Sequence, residues 1–424
     1  MSLPRVLRYR PGTDLLGFEK PPEGVTPLPV VLVAEDGPRS KGLLWAKGGE
    51  RTVILMVHPR GDMTRHYLIP GYVDAGYAVF AHESRSPNND ANMTHEALLA
   101  DIAAAVRFVR ERGFEKVVFQ GYSGGGAAYS FYQAQATTSP PGRQTHTAAG
   151  DPYDLNGFDM PPGDGFMFVG AHLGTGATMM EEIDPSVVDE HDPLSCDPAL
   201  DMYDPANGFR EPPEPSRYAP EFLEIYRAAQ RARVARLDAI ARSMLLAQRE
   251  FKALASAEGF DALPLQERKP ILRRASLGQF MQIFRTDANP AMVDLSLDPS
   301  LRNCGGINTL RPDLSNYSEN GFARILTPKA WLSQWSGLSS RSSMLDNLPK
   351  VTTPTLVVGF TGDNAIHPHV AQATLEAVQA SDKTLHRVDA DHFGFPLASK
   401  PESGGRAAVS KIAVDWLRER FPAA

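Results

Sequence analysis

The chain of 424 residues contains only two cysteines, Cys196 and Cys304. Two are too few for a disulfide framework, and neither sits in a metal-ligand spacing, so two thiols in a reducing cytoplasm are expected. Uninterrupted apolar runs of spanning length are missing too, and the opening stretch "MSLPRVLRYRPGTD" carries no apolar signal core. A soluble, cytoplasmic protein with no membrane partner is therefore expected. Basic charge is not in excess: 43 Lys and Arg stand against 50 Asp and Glu, a formal charge of −7, which offers no footprint for nucleic acid. Repeats and low-complexity tracts are absent as well. With these classes set aside, 42% hydrophobic and 22% charged residues describe an ordinary globular chain. Its length implies one large domain with a sizeable insertion.

Residues 28–171 alternate strand-like and helix-like segments. "LPVVLVAED" and "KGLLWAK" flank the turn-rich "GPRS" and predict an antiparallel hairpin. "TVILMVH" is apolar throughout, as a strand buried on both faces must be. A short helix over 64–75, the strand "YAVFAHE" and a helix over 94–112 follow, the last with Thr94 as N-cap and Gly113 as stop. "KVVFQ" and "GGAAYSFYQAQA" continue the rhythm, which indicates a parallel sheet covered by helices on both faces. A Pro- and Gly-rich excursion then leads to the strand "FMFVGAH". From 172 to 349 the alternation stops: an acidic, proline-rich segment precedes a long amphipathic helix over 220–257. Alternation returns at 354 with "PTLVVGF", a helix, "TLHRVDA" and a terminal helix. The expected organisation is a discontinuous α/β domain, 1–171 and 350–424, interrupted after the sixth strand by a mostly helical cap, 172–349.

The stretch "VVFQGYSGGG" places Ser123 among glycines between a strand and a helix. A Gly-x-Ser-x-Gly match alone arises by chance in roughly one chain of this length in seven, so the context decides its meaning. A sharp strand-to-helix turn strains the serine backbone, and side chains at 121 and 125 would collide there. A hydroxyl needs a base, and the base needs a carboxylate to hold its tautomer. His392, in "VDADHFGFPL", follows the last predicted strand, and Asp363, in "VVGFTGDNAIHP", follows the strand before it. Ser123, Asp363 and His392 thus fall at strand ends in the order associated with a nucleophile elbow.

On "GYSGG", "GDNA" and "DADHF" the chain resembles the α/β-hydrolase superfamily over residues 28–171 and 350–424. The resemblance implies a mostly parallel, eight-stranded sheet flanked by helices. It makes Ser123 the nucleophile, His392 the base and Asp363 the orienting acid, with Gly124 supplying one oxyanion-hole N–H. The second donor of such proteins follows the strand that here ends "LMVHPRGD". Family members often carry His-Gly there; this chain has His58-Pro59, and proline has no N–H, which leaves Arg60 or Gly61.

The expected activity is hydrolysis of a carboxylic ester, lactone or related acyl bond of a small, bulky or apolar molecule, with no metal or organic cofactor. Alternatives on the same elbow are C–C bond hydrolysis, amide hydrolysis and acyl transfer. An alternative of another class is a non-catalytic protein that holds a small molecule. Tyr122, Trp331 and Trp335 are the candidate substrate contacts, and Phe280, Met281 and Phe284 are further pocket candidates. Arg60 is also a candidate partner for a substrate carboxylate, and His172 is weighed between facing the site and a structural role. The acidic segment lacks calcium-loop spacing and reads as solvated turns; His367 and His369, two apart at a helix start, do not share a face for a metal. Association with copies of itself is left open.

Overall fold

A computed structural model describes residues 5–10, 13–87, 89 and 91–424. Parts of the opening stretch, residues 1–4 and 11–12, lie outside the described residues, as do two positions of the turn after the fourth strand.

Eight strands form one sheet: β1 (Leu28–Val33), β2 (Arg39–Trp45), β3 (Thr52–Met56), β4 (Ala78–His82), β5 (Lys116–Tyr122), β6 (Gly165–Val169), β7 (Thr355–Phe360) and β8 (Lys383–Val388). Their order is β1-β2-β4-β3-β5-β6-β7-β8. β1 pairs antiparallel with β2, and β2 with β4; every other pairing is parallel. The alternation of side chains along each strand explains how one apolar run serves two cores. Val53 and Leu55 of β3 pack with helices α2 (His95–Glu111) and α3 (Gly124–Ala136). Ile54 and Met56 face the opposite way, toward α1 (Ile69–Asp74) and the terminal helix Gly405–Arg420. At the sheet edge, β1 buries Val30 and Leu32 and exposes Val31 and Val33, the two-residue period of a half-covered strand.

The strand order reverses between β3 and β5, since β4 lies on one side of β3 and β5 on the other. Open α/β sheets place their crevices at such a switch point, outside the carboxyl ends of the strands. That crevice is where the loops after β3, β5, β6, β7 and β8 meet.

Between β6 and β7 the regular structure is mostly helical, with one short antiparallel pair of Met281–Gln282 and Ile325–Leu326, and much of the chain runs in turns. Helix α4 (Thr175–Glu182) is followed by the 36-residue helix α5 (Pro220–Ala255) and by α6 (Leu265–Ala275). Tyr226, Val234, Leu237, Ala241 and Leu245 form the buried stripe of α5, at the three- and four-residue spacing of one helix face. The acidic segment before α5 is a run of capped turns: Asp197 and Asp204 each accept a backbone N–H two residues on, at 3.0 and 2.8 Å. Two of its acids are buried ion-pair partners instead, Glu190 to Arg233 at 2.8 Å and Asp184 to Arg285 at 3.1 Å.

One expected cap differs. Thr94 occupies the N-cap position of α2, yet its side chain makes no capping bond. The first N–H of the helix, that of His95, donates to Ser333 Oγ at 2.9 Å, so a residue 238 positions away closes this helix end.

Candidate active site

Ser123 stands alone between the last residue of β5 and the first of α3, with φ 49° and ψ −121°. A non-glycine residue in that region is strained by about 1–3 kcal/mol, so its surroundings must hold it there. Its N–H donates to the Gly170 carbonyl at 3.1 Å, and its carbonyl accepts from the Gly126 N–H at 3.2 Å. The neighbouring glycines are required by close approach. A Cβ at Gly121 would lie 2.4 Å from Gly126 Cα, and one at Gly125 would lie 2.3 Å from the Val57 carbonyl oxygen. A strained serine turning the fifth strand into its helix, set in a sheet of this strand order, decides the architecture.

The chain has the α/β-hydrolase fold.

As the fold requires, the loops after β7 and β8 come together. His392 Nδ1 lies 2.7 Å from Asp363 Oδ2, with both side chains almost fully buried. The other carboxylate oxygen of Asp363 accepts the N–H groups of Ala365 and Ile366 at 2.7 and 2.9 Å, which fixes the acid's orientation. Tyr122, next to the serine, donates its hydroxyl to the His392 carbonyl and sits 5.3 Å from the imidazole, ring centre to ring centre. Ser123, Gly124, Tyr122 and His392 line one cavity of about 300 Å³. No hydrogen bond joins Ser123 Oγ to His392 among the described residues; such bonds are commonly long until substrate closes the site.

The loop after β3 departs from expectation. The N–H groups of Arg60 and Gly61, expected as alternatives for the second oxyanion donor, both donate to His58 Nδ1, at 3.0 and 2.8 Å. Pro59 has no N–H, so the His58 side chain folds over the turn and collects the two amides that follow it. The guanidinium of Arg60 stacks on Phe322 and Trp335, 5.0 and 5.2 Å from their ring centres.

The aromatic candidates separate. Trp335 lines the cavity. Trp331 does not: it is fully buried in the segment between β6 and β7, where its Nε1–H donates to Asp238 Oδ1 of α5 at 2.7 Å. Phe280 is exposed and Met281 is buried in the cluster that holds Trp331 and Leu237, both away from the cavity. His172 faces the cavity, with Nδ1 accepting the Gly174 N–H at 3.1 Å. Burial pushes the His172 imidazole down to about 4 and that of His58 well below its ordinary value, so both are neutral near pH 7. Glu182, passed over in the sequence because it sits in an acidic run, also lines the cavity. Burial, with help from Asp287 and Glu181, raises its carboxyl well above the usual range. The only sequence signal for it is its place at the end of α4, one turn after Thr178, which lines the same cavity.

Among the described residues, no group of three or more His, Cys, Asp or Glu side chains could hold a metal ion. His369 is paired with Asp298 at 2.7 Å, and His367 is buried at the start of the helix Pro368–Ala377.

No protein-family model and no curated protein sequence matches this chain. Solved structures with similarity to it include DcsB in complex with its substrate analogue, at 12% identity and a TM-score of 0.47, over 93% of this chain and 100% of that one. The esterase domain of a Rhodothermus marinus protein is similar at 12% identity and a TM-score of 0.43, over 94% and 100%. The monoacylglycerol lipase of Paleococcus ferrophilus is similar at 15% identity and a TM-score of 0.39, over 93% and 100%.

Proposed function

We propose that the protein is a serine hydrolase that cleaves a carboxylic ester, lactone or related acyl bond of a small molecule through an acyl-enzyme. The observation that carries this reading is that His392, paired with the buried Asp363, lines the same cavity as a serine held on a strained elbow. Asp363 accepts the Nδ1–H of His392, which leaves Nε2 with its lone pair toward the cavity and stabilises the imidazolium formed later. Ser123 Oγ attacks the carbonyl carbon, His392 takes the hydroxyl proton, and the carbonyl electron pair moves onto oxygen. The imidazolium then returns the proton to the leaving oxygen as the old acyl bond breaks. Water repeats the sequence and frees Ser123.

The N–H of Gly124 opens the first turn of α3, where amides have no partner within the helix, and it serves the developing oxyanion. Ile307, Phe322, Trp335, Ile366 and Phe393 supply apolar walls. Together with the volume of about 300 Å³, they suit a compact, largely apolar ester or lactone. Tyr122 acts by positioning the His392 loop. The proposed setting is the cytoplasm, where Cys196 and Cys304, both free thiols, stay reduced. No helix among the described residues is long and apolar enough to cross a membrane.

The test is labelling with a fluorophosphonate probe together with turnover of a panel of 4-nitrophenyl esters and lactones, for wild type and Ser123→Ala. Labelling and turnover that vanish in the variant are expected. Full turnover by Ser123→Ala would end the proposal.

A further inference from the structure

Two histidine side chains converge beside the amide that follows the nucleophile. A Cβ built on Gly124 would lie 3.2 Å from His58 Nε2 and 3.3 Å from His172 Nε2. The two nitrogens therefore border one small volume above the start of α3. Hydrogen bonding sets their tautomers. His58 Nδ1 accepts two backbone N–H groups and His172 Nδ1 accepts one, and a nitrogen that accepts carries no proton. In the neutral ring the single proton must then sit on Nε2. Both Nε2–H groups are donors, and neither has an acceptor among the described residues. Burial, which keeps both rings neutral near pH 7, agrees with this assignment.

From this geometry, and resting on the serine-hydrolase reading above, we propose that the Nε2–H groups of His58 and His172 are oxyanion donors that act with the Gly124 N–H. They replace the second backbone donor, because the amides of Arg60 and Gly61 are spent on fixing the His58 tautomer. As Ser123 Oγ bonds to the carbonyl carbon, the carbonyl π pair moves to oxygen. The two imidazoles donate hydrogen bonds to that oxygen and keep their protons throughout. His392 alone accepts and returns the transferred proton. The three imidazoles of the cavity thus divide into one base, whose Nδ1 faces a carboxylate, and two donors, whose Nδ1 atoms face amides. A side chain at position 124 would press on both Nε2 atoms, which stand 3.2 and 3.3 Å from where its Cβ would lie.

The experiment compares His58→Ala, His172→Ala and Ser123→Ala on a 4-nitrophenyl ester, reading kcat and KM separately, with inhibition by a trifluoromethyl ketone that mimics the tetrahedral adduct. Each histidine variant should lose on the order of 10²-fold in kcat with KM changed only a few-fold. Inhibition by the ketone should weaken in parallel with kcat/KM. A role confined to holding the loop would instead raise KM and lower the melting temperature while sparing kcat, and that pattern overturns the proposal. So does a kcat within twofold of wild type in both histidine variants while Ser123→Ala is inactive; the serine reading then survives alone. An active Ser123→Ala would remove both.

Imidazole ¹⁵N–¹H correlation spectra of histidine-labelled wild-type protein decide the matter without any variant. Nε2–H signals from His58 and His172 that shift when the ketone adduct forms are expected. Unprotonated Nε2 atoms, or signals that ignore the adduct, refute the assignment.

Discussion

Replacing Gly125 by alanine tests whether packing of the elbow sets the geometry of the nucleophile. The new methyl group would stand 2.3 Å from the Val57 carbonyl oxygen, against the 3.4 Å at which ordinary contact begins. About 1 Å of relative displacement is therefore needed between α3 and the end of β3. The obstructing atom belongs to the backbone of the residue that directly follows central strand β3 and cannot rotate away. Overpacking of this kind costs about 1–3 kcal/mol of stability. The displacement has a second effect, because Val57 precedes His58 while Gly125 follows Ser123 and Gly124. Shifting reacting groups by about 1 Å costs on the order of 10²-fold in rate. Urea denaturation and kcat/KM on a 4-nitrophenyl ester measure the two effects. Gly278→Ala is the control, since a Cβ there meets nothing within 4 Å and should leave both quantities unchanged. A Gly125→Ala protein with wild-type stability and kcat/KM within threefold of wild type would show that the reasoning from close approach is wrong.

Other outcomes are expected. Asp363→Asn keeps the size of the side chain but offers an amide where His392 needs an acceptor, so kcat should fall on the order of 10⁴-fold while the fold persists, measured by turnover and circular dichroism. Arg233→Ala removes a fully buried guanidinium from Glu190 and from the carbonyls of Asp184 and Phe284; a loss of about 3–5 kcal/mol in unfolding free energy is expected, read by denaturant titration. His95 is buried with both ring nitrogens unpartnered, and burial lowers it to about 3. Below pH 6.5 the unfolded chain takes up a proton at this position that the folded protein refuses, so stability is lost as pH falls from 6.5 toward 3. Relative to His95→Leu, wild type should therefore lose about 1.4 kcal/mol per pH unit across that window, and parallel stability curves from pH 6 to pH 4.5 would contradict this.

The sheet was legible because the two-residue and helical periods are unmixed in residues 28–136 and 354–424. The apolar run of β3, the glycines at 121 and 125, and the placement of Asp363 and His392 after consecutive strands each carry a local signal. Contacts made across the chain carry none. Trp331 and Trp335 stand four residues apart in "WLSQW", yet only Trp335 reaches the cavity, because Asp238, 93 residues earlier, takes the indole N–H of Trp331. The loop after β3 holds a contact of the same hidden kind. The sequence shows that Pro59 lacks an N–H, but not that the His58 ring turns back onto the two following amides. Thr94 marks a helix start correctly, while the first N–H of that helix is taken by Ser333, 238 positions away.

The segment between β6 and β7 is stitched to the sheet domain beside the chemistry. The Asn364 side chain, adjacent to Asp363, donates to the carbonyls of Asn303 and Gly305, and the Thr361 carbonyl accepts the Leu301 N–H. At the other end, Ser333 meets Glu96 and His95 of α2. A segment anchored on the acid's own loop is not a detachable piece. Trimming it would free the Asn364 amide and the Thr361 carbonyl and loosen the loop that carries Asp363, so changes in an insertion far from position 363 along the chain are felt at that carboxylate.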